Sequence, residues 1–207
     1  NKKRKSAIQD GYLKRNNDDF VKAGITHSGV NTFCKVRIKG DSDDHWKPDK
    51  FSLRVKISND KTLLGMSEFS LQNPVVRGNT SEWVFLETIK SQNLISVGYK
   101  FVNLFINGEK KGIFAVEEHF TKALIERHRR REGVIVGFEV QKIVGSHTKG
   151  LRNINYEPSY RKLSVKHYNF NSGKKKNLIS QFTAASKLIS ELQNENLSGE
   201  TIFMPSK

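Results

Sequence analysis

Five cations at alternate positions carry the first chemistry in this chain. Lys35, Arg37 and Lys39 interleave with Val36 and Ile38, and Arg54 and Lys56 interleave with Leu53, Val55 and Ile57 in a run that opens at Phe51. A strand turns successive side chains to opposite faces, so each run reads as a half-buried strand with one apolar and one basic face. Two such strands side by side present a row of ammonium and guanidinium groups, which is the chemistry of a site for phosphate or carboxylate. The polar loop between them carries Gly40, Asp41, Asp43, Asp44, Trp46 and Pro48.

Other reactive groups carry less. Asp41, Asp43, Asp44 and His45 crowd one turn, but aspartates favour turns because they bond their own backbone, and the spacing of a calcium loop with its twelfth-position glutamate is missing. No metal is assigned there. His119 and His128 have no serine or cysteine partner in a nucleophile motif. Cys34, the single cysteine, rules out an internal disulfide framework and a cysteine-cluster zinc site, and reads as a small core residue. It is compatible with a reducing compartment such as the cytoplasm. Arg129-Arg130-Arg131 suits a solvated helix end, or a dock for an acidic protein substrate.

The chain has 207 residues and a formal net charge of +15, which points to an anionic partner such as nucleotide, nucleic acid, phosphoprotein or membrane surface. With 36% hydrophobic residues and 13 phenylalanines it can build a real core. No apolar run nears the roughly 20 residues of a membrane span.

The elements that must position the cations follow in order. Residues 1–33 read as a polar lead-in with a strand or short helix near Phe20–Ile25. Strands follow at about 34–40 and 51–57, then a buried extended segment at Leu63–Asn73. A helix runs from Asn79 or Thr80 to about Leu94, capped by Asn79 with Glu82, and with Trp83, Leu86 and Ile89 turned inward. Tyr99–Ile106 is nearly all apolar and is expected at the centre of a sheet. Asn107-Gly108 is a hairpin turn leading to a strand at Gly112–Glu117. A helix at Lys122–Arg131 capped by Thr121 and a strand at Val134–Val140 follow. Leu178, Phe182, Ala185, Ile189 and Leu192 mark an amphipathic helix from about Lys175 to Asn194.

Strand, strand, helix, strand, tight hairpin, strand is the element order of a protein-kinase N-lobe, where a strand lysine neutralises nucleotide phosphates and a helix glutamate holds the lysine. The residues also resemble the spore coat protein H (CotH) kinase family, of atypical kinase-like fold. The resemblance is carried by Arg37-Ile38-Lys39-Gly40-Asp41-Ser42, by Phe51-Ser52-Leu53-Arg54-Val55-Lys56, and by Asn107-Gly108-Glu109-Lys110-Lys111-Gly112-Ile113-Phe114 leading to Glu118. Phe114 stands where the family more often has tyrosine. The match is good over about residues 35–130 and weakens beyond.

The resemblance implies an α+β fold, a kinase-like N-lobe at 34–118, then at 119–207 a hinge, a basic insertion and the first helices of an incomplete C-lobe. It implies ATP-dependent phosphorylation of protein serine or threonine, with ATP and magnesium as cofactors and a protein as substrate. By position, Lys56 would meet the ATP phosphates, with Glu82 as its partner and Glu87 as second choice. Lys39, Gly40 and Arg54 would lie near the nucleotide, and Glu118 at the hinge beside the adenosine. Catalytic and magnesium-binding aspartates are not recognisable here and are expected beyond Lys207, so the chain reads as the nucleotide-binding half. A solvated strand lysine is the plainer reading of Lys56, and helix capping that of Glu82. Two other functions stay open: a nucleic-acid or polyanion module, from the basic stretch Lys149–Lys176 with Tyr156, Tyr160, Tyr168 and Phe170, and an inactive kinase-like coat or surface protein.

Overall fold

A computed structural model describes residues 2–14, 16, 19–40, 42–59, 61–138, 164–168 and 176–194. The chain divides into two compact units, Asn1–Arg130 and Arg131–Lys207.

The first unit is α+β. Helix α1 (Lys2–Asp10) precedes the strands β1 (Val21–His27), β2 (Val30–Ile38), β3 (Leu53–Ile57) and β4 (Glu68–Gln72). Helix α2 (Ser81–Ser91) leads to the hairpin β5 (Tyr99–Ile106) and β6 (Glu109–Glu118), and α3 (Lys122–Arg127) closes the unit. The strands make one antiparallel sheet in the order β1-β2-β3-β4-β6-β5.

Alternation sorts the sheet into two faces. Cys34, Val55, Phe69, Leu71, Phe114 and Val116 are buried together on one, closed over by Leu63 and Met66 of the turn between β3 and β4. Burying each large side chain there contributes roughly 1.5–3 kcal/mol. The other face carries the cations. Helix α2 packs on that second face, where Leu86 meets Tyr99 and Ala115.

Several expected elements shift. The basic strand begins at Val30 rather than residue 34, because Ser28 and Gly29 take positive φ (51° and 77°) and make a two-residue hairpin with β1. The extended segment Leu63–Asn73 holds a strand of its own, β4, between the cationic strand β3 and the helix. Tyr99–Ile106 lies at the sheet edge, not its centre, because β6 returns on its inner side to pair with β4. Phe101 and Phe105 are accordingly exposed. In α2 neither Asn79 nor Thr80 caps through its side chain. Asn79 sits at φ 60°, Glu82 turns to Arg77, and only Leu86 is fully buried while Trp83, Val84 and Phe85 are exposed. Helix α3 stops at Arg127, two residues before Arg129 takes φ 53°.

The second unit contains a short antiparallel pair, β7 (Val136–Phe138) with β8 (Val165–His167), and helix α4 (Lys176–Gln193). The inward stripe of α4 is as expected: Leu178 is fully buried, and Phe182, Ala185, Ile189 and Leu192 are half-buried. Phe182 meets the His167 ring edge-on at 5.2 Å. Tyr156, Tyr160, Phe170 and most of the basic stretch lie outside the described residues. No helix among the described residues is long and apolar enough to cross a membrane.

The edge position of β5 sets two outcomes apart. Phe69→Ala, in a central strand, should cost about 3–5 kcal/mol in urea unfolding, and Phe105→Thr under about 1 kcal/mol. Equal losses would contradict the strand order.

Candidate functional site: the polar face of the sheet

Strand register builds the site. Arg37, Arg54, Ser70, Glu117 and Tyr99 form one row across β2, β3, β4, β6 and β5. Lys35, Lys56 and Glu68 form a second row on the same face. Beyond β2, the Lys39 N–H donates to the Ser52 carbonyl at 2.9 Å and continues the ladder, which brings Lys39 beside Gln72.

Lys39 is the centre. Its ammonium donates to Gln72 Oε1 at 3.0 Å and to Glu117 Oε2 at 3.1 Å, and Gln72 Nε2 donates to the same Glu117 oxygen at 2.7 Å. The Lys39 and Glu117 side chains are 13% and 17% exposed, so this pair is largely desolvated. Burial pulls the Lys39 ammonium below its ordinary value against the pull of Glu117. Burial alone would raise the Glu117 carboxyl, but Lys39 and then Arg77 outweigh it and hold the carboxylate ionised.

The rim is charged as well. Arg54 and Lys56 lie 3.4 and 3.3 Å from Glu68, and Arg77 Nε lies 3.3 Å from Glu82 Oε2. Burial and the neighbouring Glu117 push the Glu82 carboxyl up. Burial, then Glu82 and Glu117, push the Tyr99 phenol up to about 12. Tyr99 Oη and Glu82 Oε2 are both shielded from water on this face, Glu82 Oε2 beside Arg77. Lys35, Arg37, Lys39, Arg54, Lys56 and Arg77 thus share this face with Glu68, Glu82 and Glu117: six cations against three carboxylates, an excess of three positive charges. A polar face with surplus positive charge around a largely desolvated centre suits a ligand that brings its own negative charge.

Gly40 explains the start of the loop. Its φ is 122°, and a Cβ there would lie 2.1 Å from His45 Cβ. His45, buried, has Nδ1 2.9 Å from Ser52 Oγ. No group of three histidine, cysteine or acidic side chains able to hold a metal occurs among the described residues.

A profile of the CotH kinase protein family matches residues 36–202, most of the chain. The chain belongs to the CotH kinase family. No curated protein matches it.

Within this CotH kinase domain the residues named from sequence separate. Lys39, Arg54 and Glu82 share the polar face, with Gly40 at its border. Lys56 sits at the rim, half-exposed, with Glu68 and the Phe20 ring (5.1 Å) as neighbours, not Glu82. Glu87 pairs with Lys90 on exposed helix surface. Glu118 faces the opposite side from Glu117: its carboxylate takes the Gly98 N–H at 2.7 Å and binds Arg127, a clamp joining β6 to α3.

Sequence reasoning missed Glu117, Gln72, Arg77 and Tyr99. A signal for Glu117 existed, since strand parity sets it opposite Phe114 and Val116. Gln72 needed knowledge that β4 is a separate strand.

Two outcomes follow. Gly40→Ala should cost at least about 2 kcal/mol in thermal or urea unfolding, since it forces both φ and His45. His119 lies 3.9 Å from Glu68, and burial, then Arg54 and Lys39, lower its pKa from 6.5 to about 3. Between these values the unfolded chain carries a proton on His119 that the folded one lacks, so stability falls as pH drops through this window. His119→Gln should flatten that part of the melting-temperature profile; an unchanged slope just below pH 6.5 would refute the assignment.

Proposed function

We propose that this chain is the nucleotide-binding part of an ATP-dependent protein serine/threonine kinase, with the ATP phosphates received on the polar face around Lys39. The buried Lys39–Glu117 pair, braced by Gln72, carries the reading. A lone lysine would wander, and holding it by two partners fixes a positive charge where phosphate oxygens must be met. The surplus positive charge of the face is of the sign that a polyphosphate would neutralise. The helix packed on the same face, followed by a hairpin pair, supports a kinase-like arrangement.

The division of labour differs from the scheme in which a helix glutamate grips the lysine. Lys39 directly follows β2 and Glu117 lies within β6, so both members come from one sheet, while Glu82 on α2 is engaged by Arg77. Lys39 takes the place that sequence reasoning assigned to Lys56, and Arg54 and Arg77 flank it. Magnesium would arrive with the nucleotide. Among the described residues no group of three histidine, cysteine or acidic side chains could hold it by itself.

The test is the melting shift produced by MgATP. Wild type should shift upward, and Lys39→Met should bind at least about tenfold more weakly, a loss of about 1.4 kcal/mol. Because Lys39→Met strands Glu117 in a desolvated place, the double variant Lys39→Met/Glu117→Gln separates binding from folding. It should melt near wild type and still fail to respond. Lys56→Ala should keep most of the shift. An undiminished shift in the double variant would refute the Lys39 site.

A further inference from the structure

The loop that follows Lys39 is held from outside the family match. The matched residues begin at 36, yet α1 (Lys2–Asp10) is locked onto the loop between β2 and β3. Arg4 Nε donates to the Trp46 carbonyl at 2.9 Å, and Arg4 Nη2 donates to the Lys47 carbonyl at 2.8 Å and to Asp49 Oδ1 at 3.0 Å. The guanidinium carbon also lies 5.2 Å from the centre of the Phe51 ring. Trp46 and Lys47 directly follow the 3-10 turn Asp43–His45, whose terminal carbonyls need donors. A planar guanidinium serves two carbonyls from one rigid fork while its face lies over a ring, a fixed geometry that a flexible ammonium does not supply. Beneath it, Ala7, Leu13 and Trp46 are buried against one another with Ile38 alongside.

From Trp46 the constraint runs to Lys39 in three contacts. His45, next to Trp46, accepts the Ser52 N–H through its carbonyl at 2.6 Å and meets Ser52 Oγ through its ring at 2.9 Å. The Ser52 carbonyl takes the Lys39 N–H at 2.9 Å. The His45 side chain also fills the space beside Gly40. A loop so tied cannot move away at Trp46 without loosening His45, Ser52 and the backbone of Lys39.

We propose that α1 is a working part of the site and that Arg4 is a positioning residue for Lys39, fixing the loop 42–51 and through it the ammonium that faces the ligand. Its effect on nucleotide rests on the phosphate reading of that face; its effect on Lys39 does not. Lys3, paired with Asp19, pins the same helix to the segment entering β1.

The full chain is compared with its Arg4→Met, Arg4→Lys and Lys5→Met variants. Three readings are taken: chemical acetylation of Lys39 by mass spectrometry, hydrogen exchange over residues 42–51, and affinity for MgATP. Arg4→Met keeps the packed stem and removes the fork. It should raise Lys39 acetylation and loop exchange several-fold and weaken MgATP, while Arg4→Lys, which retains a donor, should fall between it and wild type. Arg4→Lys reads the same trend if Arg4→Met does not fold. Lys5, exposed on the same helix, should change nothing when replaced. Unchanged Lys39 acetylation and unchanged loop exchange in both Arg4 variants would overturn the proposal. If both readings rise while wild type itself takes up no MgATP, the positioning role stands and the phosphate reading fails.

Discussion

The ion pair between Lys39 and Glu117 is the constraint around which the polar face is arranged. Taking both charges largely out of water is costly, and their attraction offsets that cost only with good geometry and with the remaining donors and acceptors satisfied. Gln72 supplies this by bonding both members, its oxygen to the ammonium and its amide to the carboxylate. Removing one partner alone would leave a desolvated charge, so each residue of the triangle depends on the others. The pair is better understood as an arrangement kept for what it holds than as a source of stability.

Its position follows from the two faces of the sheet. Phe69, Leu71, Phe114 and Val116 make the apolar face dense enough to fix strand register, and a slip of one residue would turn all of them outward. Register in turn delivers Lys39, just past β2, together with Gln72 of β4 and Glu117 of β6 to one place across long sequence separations. Helix α2 adds Glu82 and covers Tyr99, but the central pair is closed within the sheet. The cation is therefore set by the rigid element of the unit rather than by the docking of a helix.

The loop after β2 shows the same dependence in the other direction. Gly40 accepts a φ that other residues avoid, His45 occupies the room this leaves, and Trp46 is buried against α1. Thus α1, polar and weakly patterned in sequence, meets the loop after β2 through packing. Nothing in its pattern would suggest it, because the partners of Arg4 are chiefly backbone carbonyls, which leave no trace in side-chain identity.

Read by itself, the sequence determined the alternation of Val36/Ile38 with Arg37/Lys39 and of Leu53/Val55 with Arg54/Lys56, hence a two-faced basic sheet, the Asn107-Gly108 hairpin, the inward stripe of α4 and the family resemblance. These are local, periodic properties that a neighbour or two can specify. Only the tertiary structure decided that β5 is an edge, that β4 follows β3 as a separate strand of the sheet, that Lys39 rather than Lys56 sits at the centre of the polar face, and that the carboxylate beside it is Glu117 rather than Glu82 or Glu87. Those choices depend on register between strands far apart in the chain. Parity can say which face a side chain takes, but only pairing says which residue it meets.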